Sequence, residues 1–167
     1  MTELPSATEL YDRFEGLVRE RLKTDGVQRP LVVGIHTGGA WLAQRLHRAL
    51  ALSEPLGTLD ISFYRDDFSS GGLHPQVRPS SLSGDIDGRT ILLVDDVLYS
   101  GRTVRAAMNE LFDYGRPERV ILAALVDRGG RELPIAADIC ALQLDLPRGQ
   151  HLKLRGPDPL QLELKTA

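Results

Sequence analysis

Cysteine is all but missing from this sequence: Cys140 is the single one. No internal disulfide can form, and no cluster of cysteines can hold a metal. Within the mostly apolar run 139–144, a lone cysteine reads as a small core residue rather than a nucleophile. Long apolar stretches are missing too. The longest unbroken one, residues 120–126 (VILAALV), falls well short of the roughly 20 residues that a membrane-crossing helix needs. The opening MTELPSATEL has no basic segment leading into an apolar one, so no secretory signal is expected and the cytoplasm is the expected location. An excess of positive charge is missing as well. The formal net charge of −3 speaks against bulk electrostatic binding of nucleic acid. Internal repeats and a domain linker are also lacking, and 167 residues suit a single domain over 1–167 with one sizeable core.

Charge is nonetheless uneven. Seven basic residues (Arg13, Arg19, Arg21, Lys23, Arg29, Arg45, Arg48) stand against three acids (Glu15, Glu20, Asp25) between positions 13 and 48. A solvated helix surface explains this more simply than a binding face.

Periodicity orders the rest. Ser6 and Glu9 have capping-box spacing, and Leu10, Phe14, Leu17, Val18 and Leu22 recur at helical intervals, predicting a helix over 7–23. Pro30 precedes Leu31–Ile35, an apolar run suited to a buried parallel strand. Thr37-Gly38-Gly39 breaks it, and a helical pattern resumes over 40–51. Leu59, Ile61 and Phe63 alternate as a strand should. Residues 65–83 hold Gly, Ser and Pro at a density that no core element tolerates, predicting a long flexible loop of the kind that serves as a lid. Further strands are expected at 90–94, 119–126 and 138–142, with a helix over 103–114 stopped by Gly115 and Pro117. The tail from His151 alternates on both sides of a Gly-Pro turn, as a terminal hairpin or edge strand would. Strand and helix alternate, which predicts an α/β fold: a mostly parallel central sheet with helices on both faces. Ligands of such sheets bind at the carboxyl ends of the strands.

Residues 91–103 (ILLVDDVLYSGRT) carry the chemistry. A buried strand would deliver Asp95 and Asp96 to that edge, where paired carboxylates accept hydrogen bonds from the vicinal hydroxyls of a ribose. Ser100-Gly101-Arg102-Thr103 would present backbone N–H groups and two hydroxyls at a helix start, a cradle for phosphate. Either half alone reads as an ordinary pair of surface acids or an ordinary helix cap. Their combination, in this order behind four apolar residues, points to a phosphorylated sugar.

This segment resembles the 5-phosphoribosyl-1-pyrophosphate (PRPP) motif of type I phosphoribosyltransferases. VDDVLYSGRTVRAAM, GRP at 115–117, LVDRGGRELPI at 125–135 and FYRDD at 63–67 resemble the pyrimidine operon regulators in particular, from about Leu31 to Asp138. That resemblance implies the type I phosphoribosyltransferase fold with a small hood. It implies uracil phosphoribosyltransferase activity, making UMP and pyrophosphate from uracil and PRPP. It also implies a regulator of pyrimidine genes that senses UMP or UTP and binds pyrimidine-operon mRNA. A homodimer or higher homo-oligomer without a membrane partner is expected.

By position, Asp95 and Asp96 would hold the ribose hydroxyls. Val97, Leu98 and Tyr99 complete the motif, and Ser100, Gly101, Arg102 and Thr103 would hold the 5-phosphate. His36, Thr37, Gly38 and Gly39 would form the pyrophosphate loop. Arg65 and Asp66 would begin the catalytic loop, and Asp127 and Arg128 would belong to the hood that recognises the base. Mg²⁺ would be carried by PRPP rather than by a protein site, and no side chain is assigned as general base. The chain departs from the family at Gly38, where many members have Arg. It also departs at Gly130, Ala136 and 142–150, where basic character is lost. Two other readings stay open: an RNA-binding attenuation regulator with little catalysis, and a phosphoribosyltransferase for another nucleobase such as hypoxanthine or orotate.

Overall fold

A computed structural model describes residues 3–61, 80–82 and 84–166. Phe63, Arg65 and Asp66, with most of the expected loop at 65–83, lie outside the described residues. The chain begins with α1 (Ala7–Thr24), β1 (Leu31–Ile35), α2 (Gly38–Ala49) and β2 (Gly57–Leu59). It continues through β3 (Thr90–Leu98), α3 (Arg102–Tyr114), β4 (Arg119–Asp127), β5 (Ile139–Gln143), β6 (Gln150–Arg155) and β7 (Gln161–Thr166). Strands β1–β5 form one sheet in the order β2-β1-β3-β4-β5, and every pairing within it is parallel. β6 and β7 form a separate antiparallel hairpin.

Alternation along the strands decides which helix packs where. Val32, Leu92, Val94, Ile121 and Ala123 face a core built with Leu10, Phe14 and Val18 of α1 and Leu42 and Leu46 of α2. Val33, Ile91, Leu93, Leu122 and Ala124 face the other way, against Val104, Ala107 and Leu111 of α3. Both faces are therefore covered, and β1 is buried at every position, as a central parallel strand must be. α1 starts where its capping box places it: Ser6 Oγ accepts from Glu9 N at 3.1 Å, and Ser6 N donates back to Glu9.

Several element boundaries differ from the expectation. β3 runs through the acidic pair to Leu98 instead of stopping at Val94, because β4 continues beside it: Asp95 pairs with Ala124 and Leu98 with Asp127. α2 starts at Gly38, two residues early, since glycine lets the first turn press onto the sheet. A Cβ on Gly39 would lie 2.4 Å from the carbonyl oxygen of Val94. β2 covers only Gly57–Leu59, held by β1 through His36 N to Leu59 O at 2.9 Å. The C-terminal tail is the hairpin expected. Its buried Leu152 and Leu154 join the α1/α2 core, and its turn is anchored on α2, where Arg45 Nη2 donates to Pro157 O at 3.1 Å.

Candidate active site

The carboxyl ends of β1, β2, β3 and β4 open into one cleft with two lobes, and the β6–β7 hairpin forms its roof. The first lobe, about 690 Å³, runs along Asp95, Val97–Thr103, Arg128, Glu132 and His151. The second, about 500 Å³, is floored by His36, Thr37, Gly38, Asp60, Asp95 and Asp96 and roofed by Lys153 and Arg155. Asp95, Val97 and Thr103 line both, so the lobes meet at the end of β3.

The acidic pair is held by its own backbone. Asp95, buried to 4% exposure, accepts from Asp96 N at 2.9 Å, and Asp96 accepts from Val97 N at 2.8 Å. Each carboxylate uses one oxygen as a local brace and retains further acceptor capacity. Beyond Leu98 the chain turns at Gly101, whose φ of +93° is left-handed and favours glycine. The loop is clamped from the far side. Glu132 N and Leu133 N both donate to Ser100 O, at 2.9 and 3.1 Å, and Arg131 Nη1 donates to Tyr99 O at 2.6 Å. Ser100 Oγ accepts from Arg102 N at 3.2 Å. The result is a rigid loop aiming the amino end of α3 into the first lobe, where backbone N–H groups and the helix dipole favour a phosphate.

Arg128 is buried to 8% exposure. It lies over the Tyr99 ring, 4.2 Å from the centroid, and donates through Nη1 to Gln150 O at 2.9 Å. Its Nε has no partner among the described residues. Asp127 is arranged differently from the expectation: it lines neither lobe, and its carboxylate is turned to Arg131 and to Gly129 N at 3.0 Å. It is the last residue of β4, and the Arg131 it pairs with also donates to Tyr99 O. Gly39 also faces the sheet rather than the cleft. Arg65 and Asp66 are outside the described residues.

Asp60, Trp41, Glu132, His151, Lys153 and Arg155 border the cleft without having been singled out in the sequence. For the hairpin residues the available signal was alternation: in HLKLR the leucines point inward, which leaves His151, Lys153 and Arg155 on one face. Asp60 has a buried neighbourhood of its own. Its N donates to Ser80 Oγ at 3.0 Å, and Ser80 Oγ donates to Glu110 of α3. Burial first, then the charges of Asp60 and Asp113, push the Glu110 carboxyl above its ordinary value, although its bond with Ser80 opposes this. The basic stretch between 13 and 48 is largely consumed by structure. Arg19 donates to Ala49 O at 2.7 Å, Arg21 pairs with Asp25 at 2.8 Å, and Arg29 pairs with Glu54. Among the described residues no helix is long and apolar enough to cross a membrane.

Comparison with known proteins agrees with this geometry. Residues 2–146 match the phosphoribosyl transferase domain family. A bifunctional protein PyrR from Pseudomonas paraeruginosa is 57% identical over 163 residues, covering 98% of this chain and 96% of the relative. Another from Nitrosococcus oceani is 55% identical over 150 residues, covering 89% and 85%. The fold is shared with a hypoxanthine-guanine phosphoribosyltransferase from Bacillus anthracis (TM-score 0.67, 18% identity, 86% of this chain and 84% of that one). It is shared also with a purine phosphoribosyltransferase from Pyrococcus horikoshii (TM-score 0.62, 23% identity, 81% and 83%). The chain thus belongs to the phosphoribosyl transferase family, in the branch of the bifunctional PyrR proteins.

Proposed function

We propose that this chain transfers the 5-phosphoribosyl group of PRPP to uracil, giving UMP and pyrophosphate. The observation that carries the reading is the meeting of the two lobes at Asp95 and Thr103, with a phosphate cradle on one side and a second anion-sized lobe on the other. PRPP has that shape: a ribose between a 5-phosphate and a diphosphate. The 5-phosphate would rest on Ser100–Thr103 and the ribose hydroxyls on Asp95 and Asp96. The diphosphate would lie over His36–Gly38.

Uracil would enter beside Tyr99 and Arg128, which both line the first lobe. The bond from C1 of the ribose to the diphosphate oxygen breaks, and the bond from C1 to uracil N1 forms. The N1 proton passes to a diphosphate oxygen, so no side chain has to act as base. Among the described residues no cluster of three or more His, Cys, Asp or Glu could hold a metal, whereas Asp60, Asp95 and Asp96 all face the second lobe. These carboxylates fit a Mg²⁺ that arrives on PRPP oxygens and keeps part of its water shell. Bound there, the metal would neutralise the leaving diphosphate. Asp127 enters this scheme as the residue that fixes Arg131.

A second function, regulation of pyrimidine genes through their mRNA in response to UMP or UTP, is favoured by the high identity to proteins named bifunctional. The cytoplasm is the setting both roles require, and a homo-oligomer is the expected state. The test is to incubate the protein with PRPP, Mg²⁺ and, separately, uracil, hypoxanthine and orotate. UMP from uracil alone is expected. A nucleotide from hypoxanthine or orotate alone would overturn the base assignment, and no nucleotide from any base would overturn the activity.

A further inference from the structure

Position 38, in the proposed pyrophosphate loop, is glycine and supplies no cation. A Cβ added to Gly38 would lie 2.2 Å from Oδ2 of Asp96 and 2.7 Å from its Cγ. The second lobe also contains Asp60, Asp95 and Asp96, so its floor is strongly negative. A diphosphate carries about three negative charges near neutral pH, so a single divalent metal leaves part of that charge facing these carboxylates. Among the described residues lining this lobe, the Lys and Arg side chains are Lys153 and Arg155, both on β6.

We propose that Lys153 and Arg155 of the C-terminal hairpin bind the diphosphate of PRPP, supplying from the roof the charge that the loop at residue 38 does not carry. Three independent features place them there. Strand alternation puts both on the face opposite Leu152 and Leu154, about 7 Å apart along the strand, a spacing that spans two linked phosphates. The turn after Arg155 is fastened directly above the loop, since Gly156 lies against the Trp41 ring and Arg45 holds Pro157 O. Glu163, opposite Lys153 in the hairpin register, accepts from Arg155 Nε at 2.6 Å. Arg155 is thereby oriented while its other guanidinium nitrogens keep their donors for an anion. These cations also lower the Glu163 carboxyl below its ordinary range, Arg155 most strongly, so Glu163 stays charged and the brace persists at neutral pH.

This assignment rests on the PRPP reading, and the experiment separates the two. Wild type, Lys153→Ala and Lys153→Gln/Arg155→Gln are titrated with magnesium pyrophosphate, with PRPP and with UMP, which has the ribose and 5-phosphate but no diphosphate. The expected result is UMP affinity within about twofold of wild type in both variants. Pyrophosphate and PRPP affinity should weaken about tenfold or more in the double variant, as expected when charge-assisted contacts are lost. The hairpin leucines are untouched, so the melting temperature should be nearly unchanged. Equal weakening of UMP and pyrophosphate would overturn the assignment in favour of a general role for the hairpin. Undiminished pyrophosphate and PRPP binding would overturn it while leaving the PRPP site standing. A wild type that binds none of the three would overturn the PRPP reading itself, and this assignment with it.

Discussion

The guanidinium of Arg128 lies over the ring of Tyr99, 4.2 Å from its centroid, and both residues line the first lobe. Tyr99 is 47% exposed while Arg128 is buried, so the ring is the more accessible member of the pair. Such a contact contributes about 0.5–2 kcal/mol, and its planarity is specific to arginine. Arg128→Lys is expected to raise KM for uracil by about tenfold through loss of the planar stack on Tyr99. KM for PRPP should change much less. Tyr99→Phe keeps the ring and should leave both constants near wild type. Steady-state kinetics with each substrate varied in turn checks this, and an equal rise in both KM values for Arg128→Lys would count against a base-facing role.

Gly38 and Asp96 compete for the same space. Even Gly38→Ala requires Asp96 to move, because its Cβ would clash with the carboxylate that is proposed to hold the ribose. Displacing a positioned charged acceptor should weaken PRPP binding by about tenfold. The melting temperature should shift little, since the clash is with a side chain facing the cleft rather than with backbone. Gly38→Arg, although it adds a positive charge, should also weaken PRPP binding. Calorimetric titration with PRPP and Mg²⁺ decides; tighter binding by the arginine variant would show that charge at this position outweighs the displacement.

Asp95→Asn combined with Asp96→Asn tests the ribose contact. Both replacements preserve a carbonyl oxygen to brace Asp96 N and Val97 N, so the fold should survive. Two charge-assisted hydrogen bonds become neutral ones, and the expected loss of PRPP affinity is on the order of 3 kcal/mol. Unchanged affinity in calorimetry would remove the carboxylates from the site.

What the sequence discloses about this cleft depends on how local each feature is. The turn from β3 into α3 at Ser100–Thr103 is legible because strand, acids, glycine and helix start are consecutive, and consecutive residues fix one another's geometry. The order of elements is equally legible, since burial on both faces of a parallel sheet forces apolar runs such as Leu31–Ile35. The roof is another matter. Lys153 and Arg155 read as the polar half of an alternating hairpin, and nothing local says that this face hangs over Gly38, more than a hundred residues earlier. Asp127 is a related case: its carboxylate turns to Arg131 and to Gly129 N, partners set by how the loop after β4 folds. The basic stretch from Arg13 to Arg48 is a question of partners, and these come from Asp25, Glu54 and the carbonyl of Ala49, which only the folded chain brings near.

Glu110 predicts a pH dependence of stability whose sign follows from its surroundings. Its carboxyl is 7% exposed; Oε1 accepts from Ser80, and Oε2 is buried without a partner among the described residues. Burial, with the nearby charges of Asp60 and Asp113, raises its folded-state pKa above the ordinary glutamate value. Between those two values the folded protein holds a proton that the unfolded chain has released. Stability therefore falls as pH rises through that window, and the loss is complete above the folded pKa. Glu110→Gln keeps the acceptor for Ser80 and cannot ionise. It should match wild type at pH values near the ordinary glutamate pKa and melt higher at pH 8, on the order of a few degrees. Because Ser80 also accepts from Asp60 N, on a residue that borders the diphosphate lobe, the amide should leave PRPP affinity near wild type at pH 8. Thermal melts of both proteins from pH 4.5 to pH 8.5 check the sign, and parallel curves across that range would mean that Glu110 gives up its proton as readily in the fold as outside it.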